Sequence, residues 1–536
     1  MTVLRGRDLS PGDGVGALTL GGFLSEVCAR FADNEALVFG EDRWTYRQLL
    51  ERSREVAGAL VASGTARFGR VGILMGNRPE AVAGLFGAAI AGAVVVPMST
   101  FAPRPEIGFY LDHSGVDTVL TQAEMLGRRY ADDVRSLLGE LPYLRRVVTV
   151  GEDWDEFLTS GRDVVPERLD GRIARTRPSD EGLVIYSSGT TSQPKGVLHS
   201  HRAPTMQFWL QAGVFGRHEG TRLWTSLPLF WTAGLNTAMG ATLAAGGCWV
   251  MQESFEPAAA LALMEAERVT EPYCLPHQTA TLEEHPAWAA TDLSSLRCVY
   301  GKSAFARHPT VAGDTGWNMP VAYGLSETCT GFATHRFDSP REQLKASTGR
   351  LIPESRLRVV DVDDGRELGA DEVGEMTIAG PTVMVGYVGY DRAECFDDHG
   401  YFHTGDVGYF DTDGFVHWTG RWTEMIKTAG TTVSPAEIEV ALRACPPIKL
   451  ARVVGVPDER LGQRVVLCAV LKDGAHAAAA DITDFLRERI AGYKVPKEVL
   501  FFADGEIPMT ASATKVRDDE LLSLVGRRLA ARGGAQ

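Results

Sequence analysis

From Tyr186 to Val197 the chain reads Tyr-Ser-Ser-Gly-Thr-Thr-Ser-Gln-Pro-Lys-Gly-Val. Ser188, Thr190 and Thr191 offer hydroxyl donors, Gly189 leaves backbone N–H groups uncovered, and Lys195 adds one flexible cation. Phosphate oxygens need several donors converging without bulk, and hydroxyls, bare amides and an ammonium meet that need together. This is not a Walker A loop. Pro194 stands where that loop needs its second glycine, and Gly196 follows the lysine where it needs Ser or Thr. A chemically silent Ser/Thr/Gly turn is the alternative, and the density of donors around a single lysine argues against it.

Such a loop must be launched by something rigid, and the apolar run Leu183–Tyr186 predicts a strand there. Further upstream, Thr45 with Gln48 opens a helical pattern that stops at Gly64, a capping-box start and a glycine stop. Val71–Met75, an Ala/Gly-rich helix opening at Arg78-Pro79-Glu80, and Ala93–Pro97 then make a strand–helix–strand unit, which implies a parallel sheet. Apolar runs recur at Thr118–Leu120 and Val147–Val150. The expected architecture is α/β: a large N-terminal body of sheets and helices over residues 1–420, and a small α+β C-terminal domain over 421–536. The boundary falls near Gly420-Arg421. Beyond it come a helix from Pro435, strands at Ala451–Val456 and Arg464–Leu471, and a helix from Asp481.

A length of 536 residues affords a sizeable core, with 44% hydrophobic and 23% charged residues as in globular proteins. Lys+Arg 54 against Asp+Glu 69 leaves a net charge of −15, which argues against nucleic-acid or anionic-membrane partners. The eight cysteines include no C-x-x-C pair and no zinc spacing, so they read as reduced core residues. No apolar run has the length of a signal peptide or a membrane span, so the expected location is cytoplasmic.

The segment at 186–197 resembles the signature loop [ST]-G-[ST]-T-G-x-P-K-G of the acyl-adenylate-forming (AMP-forming) superfamily, with Ser192 in place of one glycine. That superfamily includes acyl- and aryl-CoA ligases, peptide-synthetase adenylation domains and beetle luciferases. Tyr323-Gly324-Leu325-Ser326-Glu327-Thr328 resembles its second signature, and Tyr401-Phe402-His403-Thr404-Gly405-Asp406 with Gly420-Arg421 its ribose-binding elements. The resemblance covers almost the whole chain. It implies an ATP-dependent ligase that joins a carboxylic acid to AMP and passes the acyl group to a thiol, with coenzyme A as the favoured acceptor. It also implies cofactor contacts from Ser188, Gly189, Thr190, Thr191, Lys195, Tyr323, Gly324, Ser326, Asp406 and Arg421. Glu327 would carry Mg²⁺, while Thr190, Lys195 and Glu327 orient and neutralise the triphosphate of ATP. The small domain would be mobile, hinged at Glu424, with Lys427 and Gly430 in the loop that swings in for thioester formation.

Two stretches depart from the pattern. Where relatives read P-x-T-x-x-G-K, this chain reads Pro508-Met509-Thr510-Ala511-Ser512-Ala513-Thr514-Lys515, so the catalytic lysine that the resemblance assigns to Lys515 comes one place late. Lys302 stands in Gly301-Lys302-Ser303, where relatives keep small residues beside adenine and the acyl group. Gly301, Lys302, Ser303 and Trp231 of Leu227–Gly234 are therefore expected at the acid, with Lys302 pairing a second polar group of the substrate or else pointing to solvent. His199 and His201 are assigned no chemistry. Remaining alternatives are a specialised member with another acceptor or substrate (amide formation, loading of a free-standing acyl carrier protein, nitrite-dependent diazotisation of an aryl amine) and a non-catalytic nucleotide-binding relative.

Overall fold

The computed structural model describes residues 2–187, 194–428, 431–458, 461–490, 492–509 and 516–533. Its centre is a sheet in which Arg70–Leu74, Val94–Pro97, Thr118–Gln122, Arg146–Val150 and Glu181–Ser187 run parallel. Lys195–Ser200 then returns antiparallel to Glu181–Ser187, and Gly386–Tyr387 pairs antiparallel with it at the edge. The strand–helix–strand unit is as expected: Arg70 pairs in register with Val94 and Ile73 with Pro97, across the helix Pro79–Ile90.

The helix Tyr46–Ala62 starts at the expected capping box. The Thr45 N–H donates to Gln48 Oε1 at 2.9 Å, and the Gln48 N–H donates to Thr45 Oγ1 at 3.3 Å. Its neighbour Pro79–Ile90 approaches so closely that a Cβ on Gly87 would lie 2.7 Å from Val56 Cβ. That contact lets two helices share one apolar face over the sheet, where Phe23, Tyr46 and Phe86 are fully buried. Each such ring removed from water contributes about 2–3 kcal/mol.

A second sheet carries Glu271–Pro272, Arg222–Thr225, Cys248–Met251 and Glu35–Phe39 in parallel, closed by Asp42–Thr45. A third is antiparallel: Val3–Arg5, Arg356–Val360, Gly374–Ala379, Phe402–Phe410 and Val416–Arg421. It joins the first residues of the chain to segments more than 350 residues later, which no local pattern announces. Ala322–Leu325, Thr330–Thr334 and Arg350–Leu351 form a small antiparallel sheet of their own.

After Arg421 the chain packs on itself. Ile448–Asp458 and Gly462–Leu471 form a long antiparallel ladder, flanked by Ile426–Thr428 and by Glu498–Phe501 in parallel. Two apolar clusters drawn from Ile426 to Leu529 share no member with those of the earlier chain. Among the described residues no helix is long and apolar enough to cross a membrane. All eight cysteines are free.

Candidate active site

A cleft of about 1580 Å³ opens between the small sheet, the antiparallel sheet and the chain after Arg421. Five of the motif residues, Lys195, Tyr323, Gly324, Asp406 and Arg421, reach it on paired strands. Asp406 sits on Phe402–Phe410 directly opposite Arg421 on Val416–Arg421. It is 2% exposed, so its charge needs partners, and it has them: Arg421 Nε lies 3.1 Å from Oδ1 and the Tyr323 hydroxyl donates to Oδ2 at 2.9 Å. Burial raises the Asp406 pKa above the ordinary carboxylate range, with Arg421 and Tyr323 opposing. The preceding Gly405 holds φ +68°, a left-handed turn that a side chain would strain, and its N–H donates to Glu375 Oε1 at 3.1 Å.

Tyr323 and Gly324 enter from the small sheet, whose register slips between them. A Cβ on Gly324 would meet the Thr330 carbonyl at 2.0 Å, so only glycine lets the hairpin close there. The chain then turns through Ser326–Thr328, which presents Glu327 to the cleft. The Tyr387 hydroxyl donates to Glu327 Oε1 at 2.6 Å, and burial together with Glu327 pushes the Tyr387 pKa upward. Lys195 Nζ stands 4.8 Å from the Tyr387 ring centroid. Lysine, tyrosine and glutamate thus meet because Gly386–Tyr387 pairs with Lys195–Ser200.

Three buried side chains from three elements brace this turn through its carbonyls. His199 Nε2 donates to Ser326 O at 2.8 Å, Gln207 Nε2 donates to Thr328 O and Gly331 O at 3.0 and 2.9 Å, and Asn236 Nδ2 donates to Cys329 O. Cys329 itself holds φ +61°, an uncommon conformation for a side-chain-bearing residue, and the bonds on either side maintain it. His199, without chemistry in the sequence reading, is therefore a brace. Burial lowers its pKa to about 4, keeping the ring neutral.

On the acid side, Leu227–Thr232 leads into a π-helical segment, Ala233–Gly240. A Cβ on Gly234 would meet Pro228 O at 2.1 Å. Thr232, Ala233 and Thr237 line the cleft with Gln211, Phe215, Tyr273, Thr330 and Gly331. Trp231 lies just outside it, packed 6.0 Å from Phe101 and 5.9 Å from Phe230. Gly301 and Lys302 are exposed and absent from the lining. The Ser303 hydroxyl caps Ala304–Arg307, accepting from Ala306 N at 3.3 Å and donating to Tyr300 O at 2.9 Å. The structure thus places Lys302 at solvent, the other of its two expected settings.

On the far wall, Arg452 gathers three carboxylates: Asp518 at 3.0 Å, Glu439 at 3.2 Å and Glu424 at 3.6 Å. Burial raises the pKa values of Glu424 and Glu439 against the pull of Arg452. Lys427 is exposed, its Nζ 4.7 Å from the Trp422 ring centroid, and stands apart from the lining. Ser188, Gly189, Thr190, Thr191, Gly430 and Lys515 lie outside the described residues; Val516, next to Lys515 in sequence, lines the cleft. Sequence reasoning did not single out Tyr387, Gln207, Asn236, Glu375 or Arg452. Each acts on a residue distant in the chain, so no local spacing marks it.

For a divalent cation the fit is that of a shared site. Among the described residues no three His, Cys, Asp or Glu side chains form a metal cage, so a hard cation at Glu327 would take its other oxygens from phosphate and water.

Residues 24–388 match the family described as AMP-binding enzyme, and residues 437–514 match the AMP-binding enzyme C-terminal domain. Indoleacetate–CoA ligase of Aromatoleum aromaticum is 33% identical over 518 residues, covering 94% of this chain and 98% of that protein. Feruloyl-CoA synthase of an Amycolatopsis species is 32% identical over 486 residues, covering 89% and 93%. Among solved structures, the anthranilate CoA ligase AuaEII in complex with anthranoyl-AMP superposes with a TM-score of 0.80 at 25% identity, covering 96% of this chain and 99% of that one. With both family parts matched in order around one cleft, the chain belongs to the AMP-binding enzyme family, as an AMP-forming acid–thiol ligase of the acyl/aryl-CoA synthetase type.

Proposed function

We propose that this chain activates an aryl or arylalkanoic acid as its adenylate and transfers the acyl group to coenzyme A. The observation that carries the acid class is the wall of Phe215 and Tyr273, whose rings meet edge to face at 5.7 Å beside the cleft. A flat ring suits such a wall. The three relatives named above have printed names that refer to aromatic acids.

In the first step a carboxylate oxygen of the acid attacks the α-phosphorus of ATP, and the bond to the β-phosphate oxygen breaks to release pyrophosphate. Asp406 accepts from the ribose hydroxyls and Arg421 reaches the same sugar. Tyr323 stacks on adenine beside Gly324, and Ser326 lies at the phosphates. Lys195 joins Ser188, Gly189, Thr190 and Thr191 in holding the triphosphate. Mg²⁺, when bound at Glu327, neutralises phosphate charge. Lys515 is assigned the neutralisation of charge on the carboxylate and α-phosphate. In the second step the thiol sulfur attacks the acyl carbon, its proton leaves to solvent, and the carbon–oxygen bond to AMP breaks. Residues 421–536 form the mobile domain, hinged at Glu424, and Lys427 and Gly430 serve the second step. Trp231, Gly301 and Ser303 are assigned to the acid side, while Lys302 takes the solvent-facing setting.

The test is acid-dependent exchange of labelled pyrophosphate into ATP over a panel of aryl and aliphatic acids, followed by thioester analysis with coenzyme A. Aryl-dependent exchange with a coenzyme A thioester product is the expected result. Exchange confined to aliphatic acids would refute the acid class, and a product without the thioester would refute the acceptor.

A further inference from the structure

Behind the acid side of the cleft lies an ion pair withdrawn from water. The side chains of Arg217 and Glu271 are 0% and 1% exposed. Arg217 Nε and Nη2 donate to the two carboxylate oxygens of Glu271 at 2.8 and 2.6 Å, and Nη1 donates to the Thr237 carbonyl. The guanidinium carbon also lies 4.7 Å from the Phe215 ring centroid and 6.0 Å from that of Tyr273.

Phe215, Thr237 and Tyr273 all line the cleft, and each comes from a different element. Phe215 ends the helix Arg202–Phe215, Thr237 lies in the π-helical segment, and Tyr273 follows the strand Glu271–Pro272. One planar guanidinium therefore ties three walls at once. Desolvating two charges is costly, and apolar residues of like volume would serve stability as well or better. What apolar residues could not supply is the fixed fork: two bonds set the guanidinium plane against the strand, and the third sets the π-helical segment against both. The Thr237 hydroxyl lies 3.4 Å from that of Thr330, which carries the constraint to the neighbouring strand Thr330–Thr334.

We propose that the Arg217–Glu271 pair is the positioning device that sets the width of the acid pocket and so selects among aryl acids. This rests on the assignment of the Phe215–Tyr273 wall to the acid. Neither residue lines the cleft, so the effect is expected in selectivity rather than in nucleotide handling.

The experiment uses full-length Arg217→Lys and Glu271→Gln beside the native chain, with benzoic, phenylacetic, cinnamic and indole-3-acetic acids as probes. The readouts are kcat/KM for each acid in pyrophosphate exchange, KM for ATP, and the melting temperature. The ratio of kcat/KM between the narrowest and widest acid is expected to shift by about tenfold, the scale at which a pocket wall discriminates. KM for ATP is expected to stay within about twofold, since uniform nucleotide binding is untouched. A lowered melting temperature with an unchanged ratio would overturn the proposal and leave an ordinary structural ion pair. Should neither variant fold, hydrogen exchange on the native chain decides. A pre-set wall has the 235–240 amides protected before acid is added, whereas an acid-induced gain there beyond about tenfold would overturn it. If the native chain exchanges with none of these acids, the acid assignment falls and this inference with it. If it exchanges normally and only the ratios stay fixed, this inference alone falls.

Discussion

The two walls of the cleft are built differently. On the wall carrying Tyr323, Glu327 and Asp406, the 326–331 turn that presents Glu327 rests on neutral, fully buried donors: His199 and Asn236 each cap one of its carbonyls and Gln207 caps two. The facing wall rests on one arginine, Arg452, shared among Glu424, Glu439 and Asp518, all partly open to water. Buried neutral hydrogen bonds are geometrically demanding and insensitive to salt. Partly exposed ion pairs are screened and exchange partners readily. The contrast suits a fixed wall facing the part that we propose moves.

The largest effect that tests this contrast should come from the fixed wall. Glu327→Ala and Asp406→Ala are each expected to lower acid-dependent pyrophosphate exchange by about 100-fold or more, the scale of losing one charge-stabilising group. Melting curves should show both variants folded. Retained exchange in either would remove that carboxylate from the machinery.

Next comes the pH response of the brace. Burial lowers both His199 and His201 to about 4, against an unfolded value of 6.5. Between those values the unfolded chain binds more protons than the folded one, so stability is fully present above pH 6.5 and is lost as pH falls toward 4. The loss amounts to about 3 kcal/mol per ring. Denaturant midpoints measured from pH 7 to pH 4.5 should fall steeply in the native chain and less steeply in His199→Gln. Identical slopes would show that the His199 ring is not held neutral.

The Arg452 wall, if it moves as proposed, should respond in partition rather than in stability. Arg452→Gln is expected to alter the ratio of thioester formation to pyrophosphate exchange by about fivefold while the melting temperature shifts by only about 2–4 °C, as for loss of partly solvated pairs. Equal loss in both half-reactions would make Arg452 part of the fixed site. The smallest effect is that of salt. Raising ionic strength from about 0.05 to 0.5 M should change that partition by about twofold in the native chain and leave it unchanged in Arg452→Gln. Salt sensitivity that survives the substitution would place its origin elsewhere.

The sequence was most legible where function depends on contiguous residues. The strand–helix–strand unit and the Thr45/Gln48 capping box follow from local steric and hydrogen-bonding rules that act over a few residues. It was least legible at the acid pocket. Lys302 looked meaningful for its type and position, yet which way a side chain faces depends on segments far away, and here it faces water.

By itself, then, the sequence determined the α/β class and the order of the short motifs whose resemblance to the AMP-forming superfamily implied adenylating chemistry, because each is written in a contiguous run. Only the tertiary structure decided how those runs are held. Tyr387 meets Glu327 across 60 residues, Asn236 meets Cys329 across 93, and Arg217 meets Glu271 across 54. Such partners are chosen by strand order and helix packing, which bring together side chains that no local periodicity relates.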